Sequence, residues 1–181
     1  MCLSYVGKLA YGFLMVVILA TTAFAFFTPG WRHFSTQDTD DTGNVGLANG
    51  CSFPFNSDKT CTQWWDNRPK WEKLVKGLFL AAMALEIGAL GWVGLSYLLC
   101  CMHRRFMHAL PVWSILITVF LGVGIAIFFA RYKHDAGLIT DGTQYTDLKT
   151  GYSATVMSGA CGLAFISIFL AAGTSFFADR T

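Results

Sequence analysis

Four long apolar segments dominate this sequence and restrict what it can fold into. They span about residues 9–27, 74–100, 110–130 and 152–177. Each is long enough to cross the hydrocarbon core of a bilayer as an α-helix, which takes roughly 20 residues. Helices are expected because an unpaired backbone polar group is costly in lipid. The sequence therefore predicts one all-α membrane domain over residues 1–181, with four transmembrane helices.

Composition supports this prediction and argues against other classes of protein. Of the 181 residues, 54% are hydrophobic and 13% are charged, whereas a soluble domain carries about 25% charged residues. The formal net charge is +2, which is too small to favour nucleic acid as a partner. The partner that this composition predicts is the lipid bilayer.

The connections between the segments predict the orientation. The short connection between the second and third segments contains Arg104 and Arg105 and no acidic residue. In a four-span topology Lys8 and Arg180 lie on the same side of the membrane as that connection. Because positively charged short loops stay in the cytoplasm, we expect a multi-pass plasma-membrane protein with cytoplasmic termini. The two longer connections, about residues 28–73 and 131–151, are then extracellular.

The first apolar segment also has features of a secretory signal peptide. Lys8 precedes it, and Ala23-Phe24-Ala25 is similar to a cleavage site with small residues. The apolar run is longer than the usual core of about 7–15 residues in a signal peptide. We therefore expect it to be retained as the first transmembrane helix.

Two of the six cysteines, Cys51 and Cys61, lie in the first long connection, where an extracellular environment is oxidising. The other four lie in or beside the apolar segments: Cys2, Cys100, Cys101 and Cys161. We predict a disulfide between Cys51 and Cys61 across a hairpin, with two free thiols as the alternative. His33 alone does not supply the ligands of a metal site, and we expect neither a metal nor a cofactor.

Two motifs give the sequence a family resemblance. Trp31, followed by Gly46-Leu47-Ala48-Asn49-Gly50-Cys51 and then Cys61, resembles the claudin signature, with Ala48 where that family has a second Trp. Thr150-Gly151-Tyr152-Ser153 is similar to the start of the fourth helix in claudins, PMP22-like proteins and channel gamma subunits. The compact four-helix plan also resembles nematode claudin-like (Clc-like) proteins.

The resemblance implies a left-handed four-helix bundle that carries a small extracellular antiparallel β-sheet, with the disulfide stabilising the sheet. It also implies that Trp31 packs the sheet against the bundle. The alternative is an interfacial tryptophan without a protein partner. Candidates for an apolar face of the sheet are Val45, Leu47, Phe53 and Phe55.

The resemblance further implies a junction or adhesion protein whose sheet contacts copies on the same cell and on the facing cell. Such a protein restricts or selects paracellular flow, and loop carboxylates would set its charge selectivity. The candidates are Asp38, Asp40, Asp41 and Asp58. The alternative is an auxiliary subunit of an ion channel or receptor, as in the gamma-subunit relatives. A PMP22-like membrane organiser is a third possibility.

Aromatic residues precede the second helix and are candidates for contact with a partner. Trp64, Trp65 and Trp71 are interspersed with charged residues, and Trp and Arg dominate the energetics of protein interfaces. An aromatic belt at the membrane surface is the alternative interpretation.

Glu86 is the one acidic residue deep inside an apolar segment. An ionisable residue at that depth marks a proton or cation pathway or a contact with another subunit. The structural alternative is a neutral acid that is hydrogen-bonded to a hydroxyl of a neighbouring helix. The hydroxyls that we expect for this are those of Ser114, Thr118 and Ser158.

Cys100 and Cys101 lie beside Arg104 and Arg105 at the predicted cytoplasmic surface, a context that fits palmitoylation. Two unmodified cysteines are the alternative. The sequence contains no CxxC, HExxH, GxSxG or Walker motif. We therefore predict that the protein is not an enzyme.

Overall fold

The computed structural model describes residues 2–36, 42–48, 69–98, 109–132 and 145–180. Its four helices are α1 (Cys2–Phe27), α2 (Lys70–Leu98), α3 (Ala109–Arg131) and α4 (Tyr152–Arg180). Each contains a stretch that is long and apolar enough to cross a membrane. The prediction of a multi-pass membrane protein with four helices is therefore confirmed.

Two helices begin earlier than their apolar segments. Helix α1 already includes Cys2, and α2 begins at Lys70, directly after Pro69. The Pro69 carbonyl accepts a hydrogen bond from the backbone N–H of Glu72 at 3.0 Å. Hydropathy marks only the part of a helix that suits lipid, so the polar first turns of these helices were not predicted.

The helices form a ring in chain order. Helix α2 packs against α1 and α3, and α4 packs against α3 and α1. Successive helices run in opposite directions, so the C-terminal ends of α1 and α3 lie beside the N-terminal ends of α2 and α4. We call this the sheet end, because the strands are attached to it, and we call the other the opposite end.

The distribution of side chains is that of a membrane bundle. Large apolar side chains cover the outside, and the fully buried positions include many alanines and hydroxyl residues. Examples of buried residues are Ala82, Ala89, Ala164, Ala171, Thr22, Ser114 and Ser167. Small residues let helix backbones approach closely within a bilayer, and exposed apolar side chains suit contact with lipid acyl chains.

Three strands form an antiparallel sheet of order β2-β1-β3. They are β1 (Arg32–Thr36), β2 (Thr42–Val45) and β3 (Tyr145–Thr150). In the central strand, Phe34 is opposite Gly43 of β2 and Leu148 of β3. Strand β3 comes from the second long connection, where the sequence analysis placed no strand, and a single residue separates it from α4.

Candidate functional site: the joint between the sheet and the bundle

Trp31 lies between the end of α1 and the start of β1 and is buried in the sheet end of the bundle, with 2% of its surface exposed. Its ring centroid is 5.4 Å from that of Phe79 in α2 and 5.0 Å from that of Phe128 in α3. Its Nε1–H donates a hydrogen bond to the Ala25 carbonyl at 2.8 Å. Trp31 therefore joins three helices, and the interpretation as an interfacial tryptophan without a protein partner is wrong.

The backbone next to Trp31 is bonded directly to the start of α4. The Gly151 N–H donates to the Trp31 carbonyl at 3.0 Å, and the Ser153 N–H donates to the Gly30 carbonyl at 2.9 Å. The first N–H groups of a helix have no partner within the helix. At α4 the connection between α1 and β1 supplies a partner, which fixes the position of this helix relative to α1.

Two glycines make this approach possible. A Cβ atom on Gly151 would overlap the Gly30 carbonyl, whose carbon would be 2.6 Å away. A Cβ atom on Gly30 would overlap the ring of Tyr152. Gly151 is therefore required by the close contact between two backbone segments, and Gly30 by the position of the Tyr152 ring.

A side-chain hydrogen bond lies beside the backbone contact. The Oγ1 atom of Thr28 is 2.8 Å from the Oγ atom of Ser153, which is fully buried. Trp31 and residues 151–153, which belong to the two motifs that carry the family resemblance, thus meet at one place, together with Gly30. We call residues 30–31 and 151–153, together with Thr28, the joint.

An ion pair connects the sheet to α2. The Arg32 Nη2 atom in β1 is 3.8 Å from the Oε2 atom of Glu72 in the first turn of α2. The Arg32 guanidinium carbon is 5.2 Å from the centroid of the Trp71 ring. Both charged residues are buried. The sequence analysis did not pair these residues, because their separation in the chain gives no local signal.

Trp71 packs near the joint. It was predicted, with Trp64 and Trp65, to contact a partner or to lie at the membrane interface, and this stays a prediction. In the structure it is half-buried, with its ring centroid 6.5 Å from that of Phe128 and its face under Arg32. Trp71 therefore belongs to the packing around the joint.

Gly46 and Leu47, which follow β2, are also buried, and Leu47 is fully enclosed in the core. Ala48, which stands where the claudin signature has Trp, is half-buried against the same core. The first motif thus contributes an apolar contact as well as Trp31.

Glu86 lies inside the bundle and is completely buried. Its Oε1 atom accepts a hydrogen bond from Thr22 Oγ1 in α1 at 3.1 Å. Contact with another subunit was one of the roles expected for Glu86. A side chain that is fully enclosed in its own bundle does not suit such a contact.

The expected hydroxyl donors to Glu86 are wrong, because each has another partner. Ser114 is bonded to Tyr11, Thr118 to the Ser114 carbonyl and Ser158 to the Ala154 carbonyl. The sequence gives no information on which helix faces the carboxyl group.

Several predictions concern residues outside the described ranges. They are the Cys51–Cys61 disulfide, the aromatic residues Phe53, Phe55, Trp64 and Trp65, the carboxylates Asp38, Asp40, Asp41 and Asp58, and the palmitoylation candidates Cys100 and Cys101. They stay predictions. Within the described ranges, no group of three His, Cys, Asp or Glu residues could hold a metal ion.

The joint is suited to holding a sheet in a fixed orientation on a membrane bundle. Backbone hydrogen bonds, two close glycines and a buried indole ring limit its movement. In comparisons with protein-family models and with curated proteins, nothing matches this sequence. The function is therefore inferred from the residues and their geometry.

Proposed function

We propose that this chain is a non-enzymatic, claudin-like membrane protein of cell junctions, whose extracellular sheet makes contacts between copies in one membrane and across two. The observation that carries the proposal is the joint, where the Trp31 motif and the Gly151-Tyr152-Ser153 motif meet. The two motifs are far apart in the sequence, and their resemblance to claudins gains weight from their direct contact.

A rigid joint suits this function because association loses less free energy when the binding surface is already ordered. The sheet is connected to α1 and α4 through residues 30–31 and 151–153 and to α2 through Arg32 and Glu72. A surface attached to three helices keeps its orientation relative to the membrane. Such a surface can meet a matching surface on a neighbouring or facing molecule.

Charge supports the placement of the sheet outside the cell. Arg104 and Arg105 follow α2 and precede α3, which places them on the side of the opposite end. Lys8 in α1 also lies toward that end. By the positive-inside rule the opposite end is cytoplasmic, so the sheet and both long connections are extracellular in the plasma membrane.

A cysteine-labelling experiment tests the topology. Lys149 in β3 is exposed, so Lys149→Cys should react with a membrane-impermeant maleimide on intact cells, above the background of the wild-type chain. A tag at the N-terminus should bind its antibody only after the cells are permeabilised. The reverse pattern would place the sheet in the cytoplasm and contradict the proposal.

A cell-mixing experiment tests the contact function. Two cell populations that express the chain with different fluorescent labels should concentrate both labels where they touch, and freeze-fracture should show strands there. Gly151→Ala, which disturbs the joint, should reduce this enrichment at equal surface level, whereas Gly159→Ala should not, because a Cβ atom there has no neighbour within 4 Å. An even distribution of the wild type, with stoichiometric co-purification of a channel, would assign the chain to auxiliary subunits instead.

A further inference from the structure

Glu86 holds an unexplained polar atom inside the bundle. One of its carboxyl oxygens, Oε1, accepts the Thr22 hydrogen bond, and the other, Oε2, has no hydrogen-bond partner among the described residues. On the same face of α2, Ala82 and Ala89 are fully buried. A buried polar atom without a partner calls for an explanation, such as a bound ion, water or proton.

The charged groups of the described helices lie far from this carboxyl group. Lys8 is 14 residues from Thr22 along α1, and Lys76 is ten residues from Glu86 along α2, which correspond to roughly 21 Å and 15 Å of helix. The other titratable side chains that the structure describes on the four helices are Tyr11 in α1, Lys70, Glu72, Lys73 and Tyr97 in α2, Arg131 in α3, and Tyr152 and Cys161 in α4. None of the described contacts joins any of them to Glu86.

An ionised carboxylate at this site would therefore be isolated in an apolar interior, which is strongly unfavourable. A Ca²⁺ ion would not suit this site, because it takes 6–8 oxygen ligands. The described hydrogen bond of this carboxyl group is the one from Thr22, and no group of three His, Cys, Asp or Glu residues in the described ranges could hold a metal ion. A proton is the one cation that a single carboxyl group can bind without further ligands.

We propose that Glu86 is a buried proton-binding site, with the proton on Oε2 and the Thr22 hydroxyl bonded to Oε1. When α1 and α2 associate, the carboxylate takes up one proton from water, forming one O–H bond and becoming neutral. Because the Thr22 hydroxyl donates its hydrogen bond to Oε1, that oxygen stays unprotonated and Oε2 carries the proton. This site is independent of the joint and of the proposed junction function.

Infrared spectroscopy of the purified full chain in lipid vesicles tests the proposal. At neutral pH the wild type should show the carbonyl stretching band of a protonated carboxyl group, and Glu86→Gln should lose it. Glu72→Gln, which removes a buried acid at the sheet end, should keep the band. Absence of the band in the wild type, or its persistence in Glu86→Gln, would overturn the proposal.

Thr22→Val provides a second readout that does not depend on the Gln variant being folded. Removal of the hydroxyl takes away a hydrogen bond to the carbonyl oxygen, so the band should shift to higher frequency and remain present at neutral pH. An unchanged band would mean that the protonated group is not Glu86. A wild-type band that appears only in acid would mean that Glu86 is ionised at neutral pH, which also contradicts the proposal.

Discussion

The two ends of the bundle are held together by different kinds of interaction. At the sheet end, backbone hydrogen bonds connect residues 30–31 to residues 151–153, and the approach is so close that a Cβ atom on Gly151 would overlap backbone atoms of Gly30. At the opposite end, side chains make the connections, as in the 3.0 Å hydrogen bond between the hydroxyls of Tyr11 and Ser114.

Other contacts at the opposite end are of the same kind. The Lys8 ammonium lies 5.8 Å from the centroid of the Tyr97 ring. Gly7 faces the side chain of Thr174, which a Cβ atom on Gly7 would overlap. Side chains adjust by rotation, whereas a backbone contact leaves little freedom. We therefore expect substitutions at the sheet end to have the larger effects.

The largest effect is expected from Trp31→Ala. It removes the ring contacts with Phe79 and Phe128 and the hydrogen bond to the Ala25 carbonyl, and replacing a buried Trp by Ala costs about 3–5 kcal/mol. Denaturant unfolding in detergent micelles measures the loss. Phe169→Ala is the control, because 64% of that side chain is exposed, and equal losses in the two variants would contradict the central position of Trp31.

Gly151→Ala tests the backbone contact by itself. The added methyl group would overlap the Gly30 carbonyl, and overpacking of this kind costs about 1–3 kcal/mol. The matched control in the same helix is Gly159→Ala, which meets no atom within 4 Å and should cause no loss, because Ala is favoured over Gly inside a helix by up to about 1 kcal/mol. Equal tolerance of both substitutions would show that the joint is not tightly packed.

The four helices were predicted from the sequence, because a lipid environment requires them. The contacts between the helices were not predicted. Four helices follow from the requirement that backbone groups in lipid be bonded within each segment. Trp31 and Gly151 were found because they belong to motifs. Strand β3 was missed because it is short and joins α4 directly, and its partner β1 is distant in the chain.

The polar pairs were missed for a related reason. One pair is Arg32 with Glu72 and the other is Thr22 with Glu86. Each pair connects two elements, and tertiary packing decides which elements are neighbours and which face of each is turned toward the other. A single sequence marks each of these residues as unusual in an apolar setting. It does not indicate which residue faces it, so the expected hydroxyl donors to Glu86 were wrong.

Tyr11→Phe measures the contribution of a side-chain hydrogen bond at the opposite end. The substitution removes the hydroxyl that is bonded to Ser114 and keeps the ring, and bonds of this kind in membrane bundles contribute about 0.6 kcal/mol. A double-mutant cycle with Ser114→Ala isolates the interaction. A coupling energy as large as the loss in Gly151→Ala would remove the difference between the two ends.

The smallest effect is expected from Ser153→Ala, although Ser153 belongs to the motif at the start of α4. Thr28 Oγ1 keeps its hydrogen bond to the Phe24 carbonyl at 2.8 Å, and the backbone bond from residue 153 to Gly30 does not need the hydroxyl. We expect a loss of less than about 0.5 kcal/mol by the same unfolding measurement.

Ser153→Val should cost more than Ser153→Ala, because its extra methyl groups enter the space beside Thr28, where the two hydroxyl oxygens are 2.8 Å apart. This order would mean that the motif needs a small residue at position 153. A loss in Ser153→Ala as large as that in Ser153→Val would mean that the hydroxyl itself holds α4 to α1. The sheet end would then depend on side-chain bonds in the same way as the opposite end.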